Sequence, residues 1–248
     1  MAFKDYFSDH AAGYASYRPH YPAAMFNWLA QQCTQQRNAL DCASGNGQAA
    51  VALAPYFENI VATDASHAQL TQATPYDNIH YLCATAEQAP LKDNSLDLIT
   101  VAQAAHWFDR PRFYREVDRL LVPDGVLALW CYGLFQITPE IDALILDYYQ
   151  HTLGAYWPPE RRHIERAYSD IGFPYSERPA PEYTMQVDWH LPQVMGYLAT
   201  WSATRQFINT TGRDPLPTLE QLLTAAWGEP QQCRPIHWPL HLKVGSKP

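Results

Sequence analysis

Two acids bracket a loop of small residues near the first third of this chain. The loop is Asp41-Cys42-Ala43-Ser44-Gly45-Asn46-Gly47, and Asp64 follows 19 residues beyond Gly45. Small side chains let a ligand approach the backbone, and a helix that follows such a loop turns its free amides toward the ligand. A carboxylate at the position of Asp64 can accept both hydroxyls of a ribose. The glycines alone leave the ligand open, because Gly45-Asn46-Gly47-Gln48-Ala49-Ala50 also fits GxGxxA, the nicotinamide dinucleotide fingerprint. Asp41 separates the two readings. A dinucleotide would bring its pyrophosphate to this loop, where a carboxylate repels it, whereas an acid there suits a ligand with an ammonium group. S-adenosylmethionine has a ribose and an ammonium and no phosphate, so it is the expected cofactor, with NAD(P) as the alternative. A plain glycine turn would explain the glycines but not two acids at these places.

Other residues bear on the second reactant. Methyl transfer from a sulfonium is an in-line displacement, so the protein mainly aligns the acceptor and excludes water. A carboxylate acceptor needs no base, while an alcohol, phenol or amine usually does. His106 and Trp107 are the candidate catalytic residues, just past an apolar run where a transferable methyl would point. His106 could be a base, a hydrogen-bonding partner or only a structural histidine, and Trp107 could wall the pocket or belong to the core. Further along, Arg161, Arg162 and Arg205 lie among Tyr156, Trp157 and Trp201. Arginine binds carboxylates bidentately and stacks on aromatic faces, so these residues suit a small carboxylic acid. The stretch 160–166 also reads as a solvated helix face with charge neighbours at i,i+4. The many tryptophans and tyrosines would equally allow a flat apolar acceptor.

These residues need a frame, and the apolar periodicity supplies one. Helices are expected over 23–35, 48–57, 66–73 and 108–122, with strands over 39–43, 59–64, 78–84, 95–103 and 126–132. Strands and helices alternate, and the strands are continuous apolar runs. That pattern argues for a parallel sheet covered on both faces and doubly wound. Ligands of such sheets sit at the carboxyl ends of the strands, where the acidic loop falls. Pro123-Asp124-Gly125 reads as a turn. Beyond residue 135 prolines and aromatics thicken, with a strand over 182–190, helices over 191–208 and 217–227, and a late strand over 236–245 that Pro239 places at an edge or a bulge. The expectation is one domain over 1–248, with core 36–133 and 182–248, and a cap made of about 135–180 plus the helices of 191–227.

Composition excludes several classes. The chain has 248 residues and a formal net charge of −8, which argues against a broad nucleic-acid surface. No run is long and apolar enough to span a bilayer, and MAFKDYFSDH does not read as a signal peptide. The five cysteines form no CxxC, so neither a disulfide framework nor a cysteine-rich metal site is expected, and the cytoplasm is the default compartment. Oligomeric state is not legible here.

Taken together, the motifs resemble the class I S-adenosylmethionine-dependent methyltransferases, in particular the methyltransferase type 11 group and its trans-aconitate methyltransferase-like branch. The resemblance rests on YASYRPHYP at 14–22, LDCASGNGQ at 40–48, ATAEQAPLKDNSLDLIT at 84–100 and, most specifically, AQAAHWFD at 102–109. LGAYWPPERR, TWSATRQF and HWPLHLKVG add to it. The family implies a Rossmann-like, mostly parallel sheet of seven strands with the last antiparallel. It implies Ala43, Gly45 and Gly47 around the methionine moiety, Asp64 and Ala65 at the ribose, Ala86 and Glu87 by the adenine, Gln103 near the sulfonium, and Tyr14 and Arg18 covering the cofactor. Ala43 stands where the family usually has glycine, and Thr85 where an acid often meets the adenine amine. Two other readings remain beside this one: a nicotinamide-dependent oxidoreductase, and a non-catalytic protein that only binds S-adenosylmethionine.

Overall fold

The structure is a computed structural model, and it describes residues 19–248. The chain enters through helix α1 (Ala23–Gln31), which buries Met25, Phe26 and Leu29 on one face. Three strands alternating with two helices follow: β1 (Asn38–Cys42), α2 (Gln48–Leu53), β2 (Asn59–Asp64), α3 (His67–Leu70) and β3 (Ile79–Cys83). Next come β4 (Leu96–Ala102), α4 (Arg110–Leu120) and β5 (Leu121–Tyr132). The strands pair in parallel in the order β3-β2-β1-β4-β5.

The sheet is completed by a long strand, β8 (Arg234–Ser246), which runs antiparallel to β5 from Leu240 to Ser246. On the other side of β8 lie β6 (Ser176–Glu177) and β7 (Tyr183–Trp189). They follow one edge in almost continuous register, interrupted where Pro179 and Pro181 cannot donate to a ladder. The result is a doubly wound sheet with seven rows of strands, the one beside β5 antiparallel, as the sequence leads one to expect.

Alternation along β5 shows why its run is apolar throughout. Val126, Ala128, Trp130 and Tyr132 join the core on one face of the sheet, while Leu127, Leu129 and Cys131 join the core on the other. The first core also takes in α1, α2 and three helices of the later chain, α5 (Pro139–Asp147), α7 (Leu191–Ala199) and α9 (Leu216–Trp227). The second takes in α4 and the short α6 (Arg161–Glu165). A further helix, α8 (Ser202–Thr211), follows α7 after a break at Thr200 and Trp201, so the expected helical stretch 191–208 is two helices.

Two local readings change. Pro123-Asp124-Gly125 does not end one element and begin another. It lies within the opening of β5, with Asp124 at φ 62°, where the register against β4 shifts. Pro239 sits in an interior row, not at the outer edge. Its missing donor is accommodated because β5 pairing stops at Leu240 and resumes only at an isolated bridge between Gln136 and His237.

Candidate functional site

The loop between β1 and α2 is built on left-handed backbone. Ala43 (φ 56°), Gly45 (φ 57°) and Gly47 (φ 83°) all adopt it, which folds the chain tightly at the end of β1. Gly47 leads into α2, and a side chain there would collide with the ring of Tyr81. In front of Gly45 the space is open, since a Cβ would meet nothing nearer than Gln69 Oε1 at 3.8 Å. Ser44 Oγ is buried without a protein partner. Ala43 is the strained member, because an L side chain in this region costs about 1–2 kcal/mol relative to its ordinary conformations.

The two acids have different jobs. Asp41 is fully buried beneath the loop. Its Oδ2 accepts the Ala50 N–H at 2.9 Å, and its Oδ1 accepts the Thr100 hydroxyl at 3.0 Å. It thereby ties β1 to α2 and to β4. Burial raises its pKa to about 7 against the help of both hydrogen bonds. Asp64 is only partly buried. Its Oδ2 accepts the Gly45 N–H and its Oδ1 the Ser66 N–H, each at 2.8 Å. These two bonds aim the group. Ser66 caps α3 by accepting from the Gln69 N–H. Ala65 is half-buried between these residues.

At the ends of β3 and β4 the expected contacts are also partly fastened. Glu87 accepts the Asp109 N–H at 3.0 Å, beside a half-buried Ala86. Gln103 (φ 57°) mimics a strand: its Oε1 accepts the Tyr132 N–H at 2.8 Å and its Nε2 donates to the Tyr132 carbonyl at 2.9 Å. Its backbone N–H donates to the Trp130 carbonyl at 2.9 Å, so its backbone carbonyl, not its amide, is what remains to meet a ligand. Tyr14 and Arg18 lie outside the described residues.

His106 and Trp107 form a short 3-10 turn, Ala105–Trp107, directly after β4. His106 is buried, its Nδ1 lies 2.8 Å from the Tyr168 hydroxyl, and its ring packs against Trp107 with centroids 4.6 Å apart. Burial first, then Arg161 and His163, lower its pKa to about 3. The ring is therefore neutral near pH 7 and a poor base. Tyr168, 62 residues away, was not singled out by the sequence. Nothing in its surroundings marks it, since it arrives through two left-handed residues, Ala167 (φ 52°) and Tyr168 itself (φ 58°), with no glycine.

The three arginines part company. Arg161 lays its guanidinium over Trp157 (4.7 Å) and Tyr149 (5.5 Å), and its Nε donates to the Tyr149 hydroxyl at 3.0 Å. Tyr149 in turn donates to Glu165. Arg161 has no ion-pair partner among the described residues. Arg162, its neighbour, points to solvent. Arg205 is half-buried one turn beyond Trp201, and burial lowers its pKa. Trp201 is buried and packs against Trp157, Tyr149 and Tyr148 at 5.5, 6.0 and 6.4 Å. Among the described residues, no cluster of acids, histidines and cysteines could hold a metal, and no helix is long and apolar enough to cross a membrane.

Comparison with known proteins agrees with this geometry. A methyltransferase domain family matches residues 40–129, from within β1 into β5. A Dictyostelium discoideum protein classed as a methyltransferase is 36% identical over 229 residues, covering 91% of this chain and 87% of that one. The structure of a protein from Anaeromyxobacter dehalogenans, described as a type II methyltransferase, superposes with a TM-score of 0.87 at 40% identity, covering 92% of this chain and 97% of that one. The Saccharomyces cerevisiae protein CRG1, named as an S-adenosylmethionine-dependent methyltransferase, is 30% identical over 139 residues, 52% of this chain and 46% of that one.

Proposed function

This chain belongs to the S-adenosylmethionine-dependent methyltransferases, and from that premise we propose that it methylates a small molecule, foremost a carboxylic acid at oxygen. The cofactor is S-adenosylmethionine, which removes the nicotinamide reading, and the methyltransferase relatives over most of the chain set aside the non-catalytic one. S-adenosylmethionine supplies an electrophilic methyl on a sulfonium. The residues of this chain supply the rest. In our reading Ala43, Gly45 and Gly47 present backbone to the methionine end, Asp64 holds the ribose beside Ala65, Ala86 and Glu87 flank the adenine, and the Gln103 backbone lies toward the sulfonium. Tyr14 and Arg18 would close over the cofactor from the N-terminal segment. Asp41 would act one layer back, by holding the loop.

The acceptor class rests on one observation: the half-buried Arg161 guanidinium, stacked on two aromatic rings and without an acid partner among the described residues. A desolvated guanidinium favours a carboxylate that completes its hydrogen bonds. Such an acceptor is already the nucleophile and needs no proton removed, which suits a site whose histidine is neutral and weakly basic. Trp157 and Trp201 would wall off water, and Arg205 would take a second acid group. Arg162, exposed, fits this role less well than its neighbour. The likeness to the trans-aconitate methyltransferase-like branch, the single-domain organisation with a cap, and a cytoplasmic setting in keeping with five free cysteines belong to the same proposal, as does a site with no nucleic acid in it.

Two measurements test it. Calorimetric titration with S-adenosylhomocysteine, with NADH as control, should show binding of the former alone. Transfer of labelled methyl to a panel of di- and tricarboxylic acids, phenols and amines should then favour the acids, and Arg161→Ala should raise the KM for the acid while sparing S-adenosylhomocysteine affinity. Turnover of phenols or amines with none of the acids would sink the acceptor class, and binding of NADH alone would sink the whole reading.

A further inference from the structure

The structure assigns Tyr168 as a positioning residue: its hydroxyl donates a hydrogen bond to His106 Nδ1, which fixes His106 as the Nε2–H tautomer and makes Nε2 a hydrogen-bond donor to the acceptor, not a base. This inference rests on the reading of His106 as an acceptor-side residue. The direction of the bond follows from what the two groups can offer. The phenol is buried and stays protonated, so it has a hydrogen to place. Among the described residues, His106 Nδ1 is the one hydrogen-bond partner of the phenol oxygen, at 2.8 Å. His106 is neutral and carries a single N–H. If that hydrogen sat on Nδ1, the phenol oxygen would accept it, and the buried O–H would be left without an acceptor among the described residues. With the hydrogen on Nε2, both groups are satisfied.

The backbone shows how the phenol is brought there. After α6 the chain turns through two consecutive left-handed residues, Ala167 and Tyr168. Each is strained for a side-chain-bearing residue, and strain of this kind persists where surrounding contacts fix it. Here Ala167 N–H donates to Ile164 O, and Tyr168 N–H donates to His163 O. His163 is itself held, with Nδ1 at 2.9 Å from Asp170 Oδ1 and Nε2 at 3.5 Å from Arg110 Nη1. The segment that carries Arg161 thus also carries the group that orients His106.

The consequence is chemical. A histidine that presents Nε2–H can bridge to a carboxylate or carbonyl oxygen and hold it for in-line attack. It cannot take a proton from an alcohol or an amine.

The tautomer can be read directly. In the full-length protein labelled with 15N-histidine, long-range proton–nitrogen correlation reports which ring nitrogen carries hydrogen, and His106→Gln assigns the signal. The expected wild-type pattern is an unprotonated Nδ1 and a protonated Nε2 for His106, with Tyr168→Phe populating both tautomers. A protonated Nδ1 in the wild type overturns the inference, and so does a Tyr168→Phe spectrum unchanged at His106. The wild-type spectrum decides even if Tyr168→Phe fails to fold, and Ala167→Gly, which keeps the phenol and relieves one strained residue, should retain the wild-type pattern. The functional reading is tested apart. If S-adenosylhomocysteine binds but His106 carries hydrogen on Nδ1, only this inference falls. If S-adenosylhomocysteine does not bind, the functional reading falls whatever the tautomer.

Discussion

Replacing Asp64 by alanine removes a group that holds the loop and, on our reading, the ribose as well, and the two effects can be separated. In the protein, the Asp64 carboxylate accepts two backbone N–H bonds of 2.8 Å, from Gly45 and Ser66. Hydrogen bonds to a charged group contribute about 1.5–3 kcal/mol each. Asp64 is partly exposed, so the lower end applies, and the variant should lose roughly 3 kcal/mol of folding stability. Losing the ribose hydroxyl bonds should weaken cofactor binding by a further 1–3 kcal/mol or so, which is roughly a 5- to 150-fold rise in the Kd for S-adenosylhomocysteine. Asp64→Asn is the sharper probe. Its amide keeps one oxygen, but its NH2 must then face one of the two backbone N–H groups, so one bond is lost even though the shape is kept. Urea denaturation gives the first quantity, and calorimetry well below the melting temperature gives the second. A folded Asp64→Ala protein that binds S-adenosylhomocysteine within twofold of wild type would refute the argument. Asp64 would then be scaffold, as Asp41 is.

Ala43→Gly should relieve about 1–2 kcal/mol of left-handed strain and give back about 0.4–1 kcal/mol through the freer unfolded chain. A small rise in the urea midpoint is expected with no loss of S-adenosylhomocysteine affinity, and a clear fall would show that the Ala43 methyl makes contacts that outweigh its strain. His106 should also shape the acid limb of stability. Its folded pKa, about 3, lies below the ordinary 6.5, so the unfolded state binds more protons between these values. Its contribution is present above pH 6.5 and is lost as pH falls toward 3. The shift of 6.5 − 3 = 3.5 units sets a ceiling of about 5 kcal/mol. Asp41 works in the opposite sense. Raised to about 7 from 3.8, its contribution is present below pH 3.8 and lost as pH rises through 7. Between pH 4 and 6.5 the two contributions oppose each other, so relative to wild type the slope of stability against pH should turn downward for His106→Gln and upward for Asp41→Asn, and equal slopes in all three proteins would contradict the burial of these groups.

The alternation of apolar runs made the first five strands legible, because parallel strands covered on both faces have no polar face to confuse the pattern. The glycine loop and Asp64 were legible for a related reason: a tight left-handed turn at a strand end admits few residue types. Orientation within short helices was harder to read. Arg161 and Arg162 are adjacent in sequence, yet α6 turns one over the aromatic cluster and the other to water, and five residues carry too little periodicity to say which. Tyr168 was hidden for another reason. Its pairing with His106 spans 62 residues and depends on strained backbone that no glycine announces. Pro239 marked an irregularity correctly but not its place, since the gap that tolerates it arises from where β5 stops pairing.

One arrangement recurs around the candidate site. Asp41, Asp64, Glu87 and Gln103 all lie at or just past strand ends, and each accepts a backbone N–H from another segment, at 2.8–3.0 Å. Polar side chains with nucleotide-binding character in the sequence thus spend some or all of their hydrogen-bonding capacity on fixing loops. What those loops then offer is backbone, at Ala43, Gly45 and Gln103, in conformations that an unsupported chain would seldom adopt. Bonds of this kind are made before any ligand arrives, so ordering the loops does not draw on the free energy of binding. The same logic holds on the acceptor side, where Tyr168 fixes the hydrogen of His106 in advance. A displacement reaction that needs alignment more than acid–base work is served by such preorganisation, and the physical content of this site lies as much in the residues that hold its loops as in those that would touch the reactants.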